Sequence, residues 1–266
     1  MGASTVSRGP LDRSVRTVGV IVPANNEEHF LQRSLAALER ALRVVAHEER
    51  RAHVVIVLDS CRDASADIAD TWREQISEAS AIDVTLVDFD GENVGAARAL
   101  GCDVLLDLAS MNDLAEVWIA TTDADSRVPT NWLRAQLDAF ERGADAWAGR
   151  VAVTEWPSHR MASAAAWQHA YDAEVHPIHG ASLGVIAVKY VDVGGFPPLQ
   201  TGEDRGLCAA LLAHGARIHY DSSVLVVTSA RRHARAPEGF AAALTRFDVP
   251  VHDNDEWVKL VGNSRM

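Results

Sequence analysis

No stretch of this chain approaches the roughly 18 consecutive apolar residues that a membrane span requires. No transmembrane segment is therefore expected, and a lipid-linked substrate would be met at the membrane surface. The first 16 residues, MGASTVSRGPLDRSVR, hold no apolar core of the kind a secretory signal carries, and read as a loose arm. Cysteine is scarce: Cys61, Cys102 and Cys208 lie far apart, are odd in number and form no CxxC pair. They read as reduced, mostly buried thiols of a cytoplasmic protein. Basic charge is short as well. With 25 Lys and Arg against 37 Asp and Glu, the formal net charge is −12, which argues against a nucleic-acid backbone as the main partner. A phosphorylated small molecule needs only a local site and stays open. Glycine is missing where a dinucleotide fold would need it, because the first apolar run is followed by PANNEEH rather than by G-x-G-x-x-G.

What is present is an ordinary globular balance, 48% apolar and 23% charged, in 266 residues, enough to bury a large core. Short β-branched runs at 17–23, 53–59, 82–89 and 116–122 alternate with stretches of helical spacing: 24–42, a segment ending near Gln75, 93–109, and 129–143 with Pro129 near its start and Gly143 past its end. Four strand–helix repeats predict a mostly parallel sheet with right-handed crossovers. In such sheets ligands bind beyond the carboxyl ends of the strands. The polar residues gather at those ends: Asn25, Asn26 and Glu27, then Asp59, then Asp123 and Asp125. Beyond residue 143 the pattern loosens. Strands are expected at 144–154, 181–190, RIHY and SVLVVTS, and helices over SHRMASAAAWQHAYDAEV, 201–215 and APEGFAAALTRF, with an uninformative tail from 248 to 266. No low-complexity linker divides the chain, so it reads as two halves, 17–143 and 144–247, of one domain.

Each polar cluster has two readings. Asp123-Ala-Asp125 in VWIATTDADSRVP is either turn chemistry or a pair of metal-ligating carboxylates. Asp59 is a turn or cap acid, or an acceptor for an imide-type N–H of a nucleobase. Thr201 with Asp204 is close to a capping box, while a carboxylate fixed at a helix start could also act as a general base. Arg231, Arg232 and His233 form either a solvated turn or a site for phosphate oxygens and a metal. His176 and His179 could line a pocket, but no soft ligands at suitable spacing make them a zinc site.

In order, VGVIVPANNEE, VVIVLDSCRDAS, NVGAARALG, TTDADSRVP, HGASLGV with GGFPPL, and TGEDRG resemble glycosyltransferase family 2 over residues 17 to 233. The resemblance implies the GT-A fold: a single α/β domain whose Rossmann-like, mostly parallel central sheet is flanked by helices. It further implies a nucleotide-sugar donor, UDP- or GDP-linked, contacted by Pro23, Asn25, Glu27, Asp59, Arg98, Asp123, Arg231 and Arg232. A hard cation, Mn2+ or Mg2+, would be ligated by Asp125 with Asp123 and His233. Asp204 would deprotonate the acceptor hydroxyl beside Glu203, in an inverting transfer, although relatives that retain configuration share the DxD. His179, Gly180 and Ser182 would meet a small-molecule or lipid-linked acceptor. Peripheral membrane contact and a homodimer are compatible with this picture. Ser182 departs from the family's more usual Asn, and the QxxRW motif of processive synthases is missing, so transfer of a single sugar is expected. Two other readings are a sugar-phosphate nucleotidyltransferase, whose Gly-rich basic signature is missing after the first strand, and a non-catalytic nucleotide-sugar-binding protein.

Overall fold

A computed structural model of the chain describes residues 13–47, 49–77, 81–109, 113–154, 156 and 161–229. The four β-branched runs form β1 (Thr17–Ala24), β2 (Arg51–Asp59), β3 (Ile82–Phe89) and β4 (Val117–Thr121). They pair in parallel in the order β3-β2-β1-β4. β1 and β2 are almost continuously buried, as expected for strands covered on both faces. The helices between them are α1 (Leu31–Val45), α2 (Ser65–Ser77) and α3 (Val94–Leu108), with α4 (Trp132–Glu141) after β4. The chain leaves β1 to one side for β2 and β3, and returns on the other side as β4. The crevice at that reversal, beyond the carboxyl ends of β1 and β4, is where an open α/β sheet takes its ligand.

The second half completes the same sheet. β5 (Ala146–Thr154), β6 (Leu183–Ile186) and β7 (Ile218–Ser229) extend it to seven strands, ordered β3-β2-β1-β4-β6-β5-β7. β6 runs antiparallel between β4 and β5, and β7 runs parallel to β5. Among the described residues three helices belong to this half: α5 (Met161–Asp172), α6 (Ala187–Asp192) and α7 (Glu203–Ala213); the helix expected over APEGFAAALTRF lies outside them. One core cluster joins α1, α2 and α4 to one face of the sheet; the other packs α3, α6 and α7 on the opposite face. Trp118, Trp132 and Trp147 are the largest fully buried side chains, and Trp118 donates its indole N–H to Gln136 at 2.8 Å.

Three boundaries differ from the sequence reading, each for a local reason. The expected strand 181–190 is a strand only over Leu183–Ile186: Gly180–Ser182 form a 3-10 turn before it, and Ile186 pairs with Trp118 near the start of β4. Beyond it there is almost no neighbouring strand left, and Ala187 and Tyr190, spaced for a helix, bury as α6. RIHY and SVLVVTS are one strand, β7, with a bulge: Gly149 faces Asp221, but Arg150 faces Leu225. The Asp221 carboxylate closes the bulge by accepting the N–H groups of Ser223 and Val224 at 2.7 and 2.9 Å. The helix expected from residue 24 begins only at Leu31, since Asn26 holds a left-handed backbone at φ 52°.

Of the expected N-terminal arm, residues 13–16 are described. Arg13 donates to Asp145 at 2.8 Å and lies over the Phe140 ring, and Val15 is buried.

Candidate functional site

Polar residues converge beyond the carboxyl ends of β1, β2 and β4. After β1, Asn25 donates its amide to the Asp59 carbonyl at 2.6 Å, and Asn26 Oδ1 accepts the Arg62 N–H at 2.8 Å. The Glu27 N–H donates to Ser65 Oγ at the start of α2, and the Glu27 side chain is buried. Pro23 sits inside β1, half-buried. These bonds lace the first two loops into one floor. At the end of β2, the Asp59 carboxylate accepts backbone N–H groups from Gly91, Glu92 and Asn93 at 3.2, 2.9 and 3.0 Å. It thereby fixes the turn ahead of α3, where Asn93 caps the helix by accepting the Ala96 N–H at 3.0 Å.

α3 carries Arg98, only 2% exposed. Its Nη2 donates to Asp123 and its Nη1 to Glu203. One guanidinium thus joins the end of β4 to the start of α7. Burial alone would lower its pKa, but Glu203, Asp123 and Asp204 outweigh that and hold it above the ordinary value. Burial pushes the Glu203 carboxyl up against the pull of Arg98, and Asp204 beside it adds to the rise.

The second carboxylate of the pair points elsewhere. Asp125 is 8% exposed, accepts Ser229 Oγ at 2.6 Å and has Ser126 Oγ at 3.4 Å. Ser229 arrives there because Arg127 and Val227 exchange backbone hydrogen bonds of 2.7 and 3.0 Å, tying the DxD turn to the end of β7. Two carboxylates with one residue between them, and hydroxyls beside Asp125, are a hard oxygen donor set. Among the described residues no group of three or more His, Cys, Asp or Glu side chains is placed to hold a metal. Mg2+ and Mn2+ take one or two carboxylates and keep water and phosphate oxygens as their remaining ligands, so the oxygen chemistry of Asp123 and Asp125 suits such an ion. Arg231, Arg232 and His233 lie outside the described residues; in sequence they follow Ser229 after one intervening alanine.

The α7 end of the site is built differently from the capping box its sequence suggested. Gly202 precedes the helix at φ 81° and no side chain caps it. Thr201 therefore makes no cap, because the left-handed Gly202 lies between it and the first turn. Asp204 is held instead by the Gly180 N–H, at 2.8 Å to Oδ2, and by its neighbour's N–H, Arg205, at 2.7 Å to Oδ1. The Gly180 carbonyl accepts the Thr121 hydroxyl at the end of β4. A Cβ on Gly180 would lie 2.4 Å from Arg98 Nη2, so only glycine lets this backbone lie against the guanidinium.

His179 precedes it, with Nε2 3.0 Å from Tyr171 Oη, and Tyr171 Oη also accepts the Val151 N–H at 3.0 Å. Burial pushes His179 down to about 4, against the opposing pull of Asp204, so the imidazole is neutral at physiological pH. Ser182 is 0% exposed and its hydroxyl accepts the Trp132 indole N–H at 3.2 Å.

The structure therefore brings together Asn25, Glu27 and Asp59 on one side, and Arg98, Asp123, Glu203, Gly180 and Asp204 on the other. Thr121, Tyr171 and Ser229 join them without having been singled out in the sequence. Thr121 and Ser229 each end a strand at the polar rim, the same signal that marks Asp59. Tyr171 carries no such mark, since its role depends on a contact across the fold.

The profile described as "Glycosyl transferase family 2" matches residues 19–179. None of the curated proteins matches the sequence. Among solved structures, residues 1–349 of TarS from S. aureus in complex with UDP are similar at a TM-score of 0.55 and 18% identity, covering 80% of this chain and 60% of that one. The mannosyltransferase PcManGT from Pyrobaculum calidifontis, in complex with GDP-Man and Mn2+, is similar at a TM-score of 0.60 and 19% identity, covering 84% of this chain and 59% of that one. The chain thus spans about 60% of the length of these structures, and at such identity the likeness shows the shared GT-A fold. The family profile spans more than half of the sequence, and this chain belongs to glycosyl transferase family 2.

Proposed function

We propose that this chain transfers one sugar from a nucleoside-diphosphate sugar to an acceptor hydroxyl, with a divalent cation at Asp125 and Asp123 and with Asp204 as general base, inverting the anomeric centre. The observation that carries this reading is the meeting of two acidic sites around one buried cation. Arg98 joins Asp123 of the DxD to Glu203, and Asp204 stands next to Glu203 with its carboxylate fixed by the Gly180 N–H. The solved relatives carry UDP in one case and GDP-Man with Mn2+ in the other, which fits a pyrimidine or guanine nucleotide here.

Each residue then has a task. The floor made by Asn25, Glu27 and Asp59 receives the nucleoside, with Pro23 beneath it. A bound Mn2+ or Mg2+ would neutralise charge on the departing diphosphate, and Arg231, Arg232 and His233 are assigned to the same end of the donor. Asp204 takes the proton of the acceptor hydroxyl, and a base held by two N–H groups loses little freedom on doing so. Glu203 anchors Arg98 and does not itself reach the acceptor. On the acceptor side stand His179 and Gly180, while Ser182, buried against Trp132, packs the fold. The acceptor is a small or lipid-linked molecule, and we place the reaction in the cytoplasm. No helix among the described residues is long and apolar enough to cross a membrane, so a lipid-linked acceptor would be reached from its headgroup.

The test is Asp204→Asn, assayed by release of the nucleoside diphosphate from UDP- and GDP-sugars with Mn2+. Turnover should fall by roughly 10²–10⁴-fold, the usual worth of a general base, while nucleotide binding is retained. Unchanged turnover would remove Asp204 from the mechanism.

A further inference from the structure

We infer that Glu203, on the acceptor side of the site, sets how tightly the cation is held at Asp123, because both carboxylates share the one Arg98 guanidinium. The inference rests on the metal-dependent reading above. Arg98 is 2% exposed and Glu203 4%, so water screens their interaction weakly and the charges act on one another strongly. Nη1 serves Glu203 and Nη2 serves Asp123. The guanidinium has little room to leave this position, because the Gly180 backbone lies flat against it. A Cβ there would fall 2.4–2.7 Å from Nη2, Cζ and Nη1. Arg98 is therefore a divided partner, and each acid limits how much of its charge the other receives.

The consequence reaches across the site. When Glu203 loses its charge, Nη1 loses its carboxylate and more of the guanidinium charge falls to Asp123, with Asp204 the other acid acting on it, so a cation approaching Asp123 meets a stronger competitor. In the other direction, a cation at Asp123 leaves Arg98 to Glu203, which steadies the first turn of α7 and with it Asp204. The two effects are one coupling free energy and must be equal in size. Glu203 and Arg98 are in this sense positioning residues: they act through Asp123 and Asp204 and need not touch the sugar.

The experiment is the thermal stability of the full chain against Mn2+ concentration, with UDP and in parallel with GDP present, for wild type, Glu203→Gln and Glu203→Asp. The Mn2+ half-point should rise by about five-fold or more in Glu203→Gln, within the usual range of coupling between sites. It should stay near wild type in Glu203→Asp, which keeps the charge. Equal half-points in wild type and Glu203→Gln overturn the coupling, as does a shift in Glu203→Asp as large as that in Glu203→Gln, which would trace the effect to packing. If Glu203→Gln shows no cooperative unfolding, Gly180→Ala carries the test. Its methyl displaces the guanidinium from the shared position, so an unmoved half-point in that variant overturns the proposal. A wild type that never responds to Mn2+ overturns the metal-dependent reading itself, and the coupling with it.

Discussion

At the scale of single residues, the site is a set of side chains held by backbone. Asp59 accepts three backbone N–H groups, and Asp204 accepts that of Gly180, so both carboxylates are fixed before any ligand arrives. For Asp59, replacement by Ala removes the acceptor of three N–H groups in a turn whose Gly91 and Glu92 are exposed, so water takes over part of the loss and about 0.5–1.5 kcal/mol is expected. Urea unfolding should show that loss, together with weaker nucleotide binding, because the turn ahead of α3 loosens. His179 makes a pH prediction. Burial lowers its folded pKa to about 4 from 6.5, so between those values the unfolded chain binds the proton first. The stability it contributes is fully present above pH 6.5 and is lost as pH falls toward 4. Urea midpoints measured across that window should fall more steeply for wild type than for His179→Gln, and parallel profiles would show that the imidazole is not held neutral.

At the scale of elements, the parallel half of the fold is legible because its strands are short β-branched runs ending in polar residues. The reading of 17–23, 53–59 and 82–89 falls within a residue or two of β1, β2 and β3. The second half is less legible, for physical reasons. The end of β6 is set by the length of the neighbouring β4, which no local pattern reveals, and β7 reads as two strands because its bulge interrupts the alternation. The candidate residues were found where strand ends expose polar groups, but their partners were not: that Arg98 faces two acids, or that Ser182 faces Trp132, depends on chain segments far apart in sequence.

The junction between α3 and the loop before α7 is a further long-range contact. Gly95 donates its N–H to the Leu199 carbonyl at 3.0 Å, and a Cβ there would meet the Pro197 and Leu199 backbones at 2.4–2.7 Å. Backbone cannot swing aside as a side chain can. Gly95→Ala should therefore cost about 1–3 kcal/mol by overpacking, visible as a lowered urea midpoint, and should disturb Arg98 one turn along the helix. A midpoint equal to wild type would mean that the loop yields freely.

At the scale of the whole molecule, one continuous sheet joins both halves, and the strand beside β4 is β6 from the second half. Residues 1–143 alone would leave the β4 edge unpaired and Trp118 without its cover from Gly184, whose missing side chain lets the indole lie against the backbone. That fragment is expected to aggregate rather than unfold cooperatively, and a sharp thermal transition from it would contradict the single-sheet account. The free cysteines fit the same picture: Cys102 and Cys208 are buried, and burial pushes both thiols up to about 12, so reducing agent should not change the melting temperature. The central claim, a cation-dependent nucleotide site at the carboxyl edge, is tested most directly by thermal stability of wild type and Asp125→Ala against UDP and GDP, each with Mn2+ or with EDTA. At about 100 times its dissociation constant one diphosphate should add roughly 2.7 kcal/mol of stability, only with Mn2+ and only in wild type. Equal stabilisation with EDTA, or in Asp125→Ala, would contradict the metal site, and no stabilisation by either nucleotide would return Asp123-Ala-Asp125 to the status of a turn.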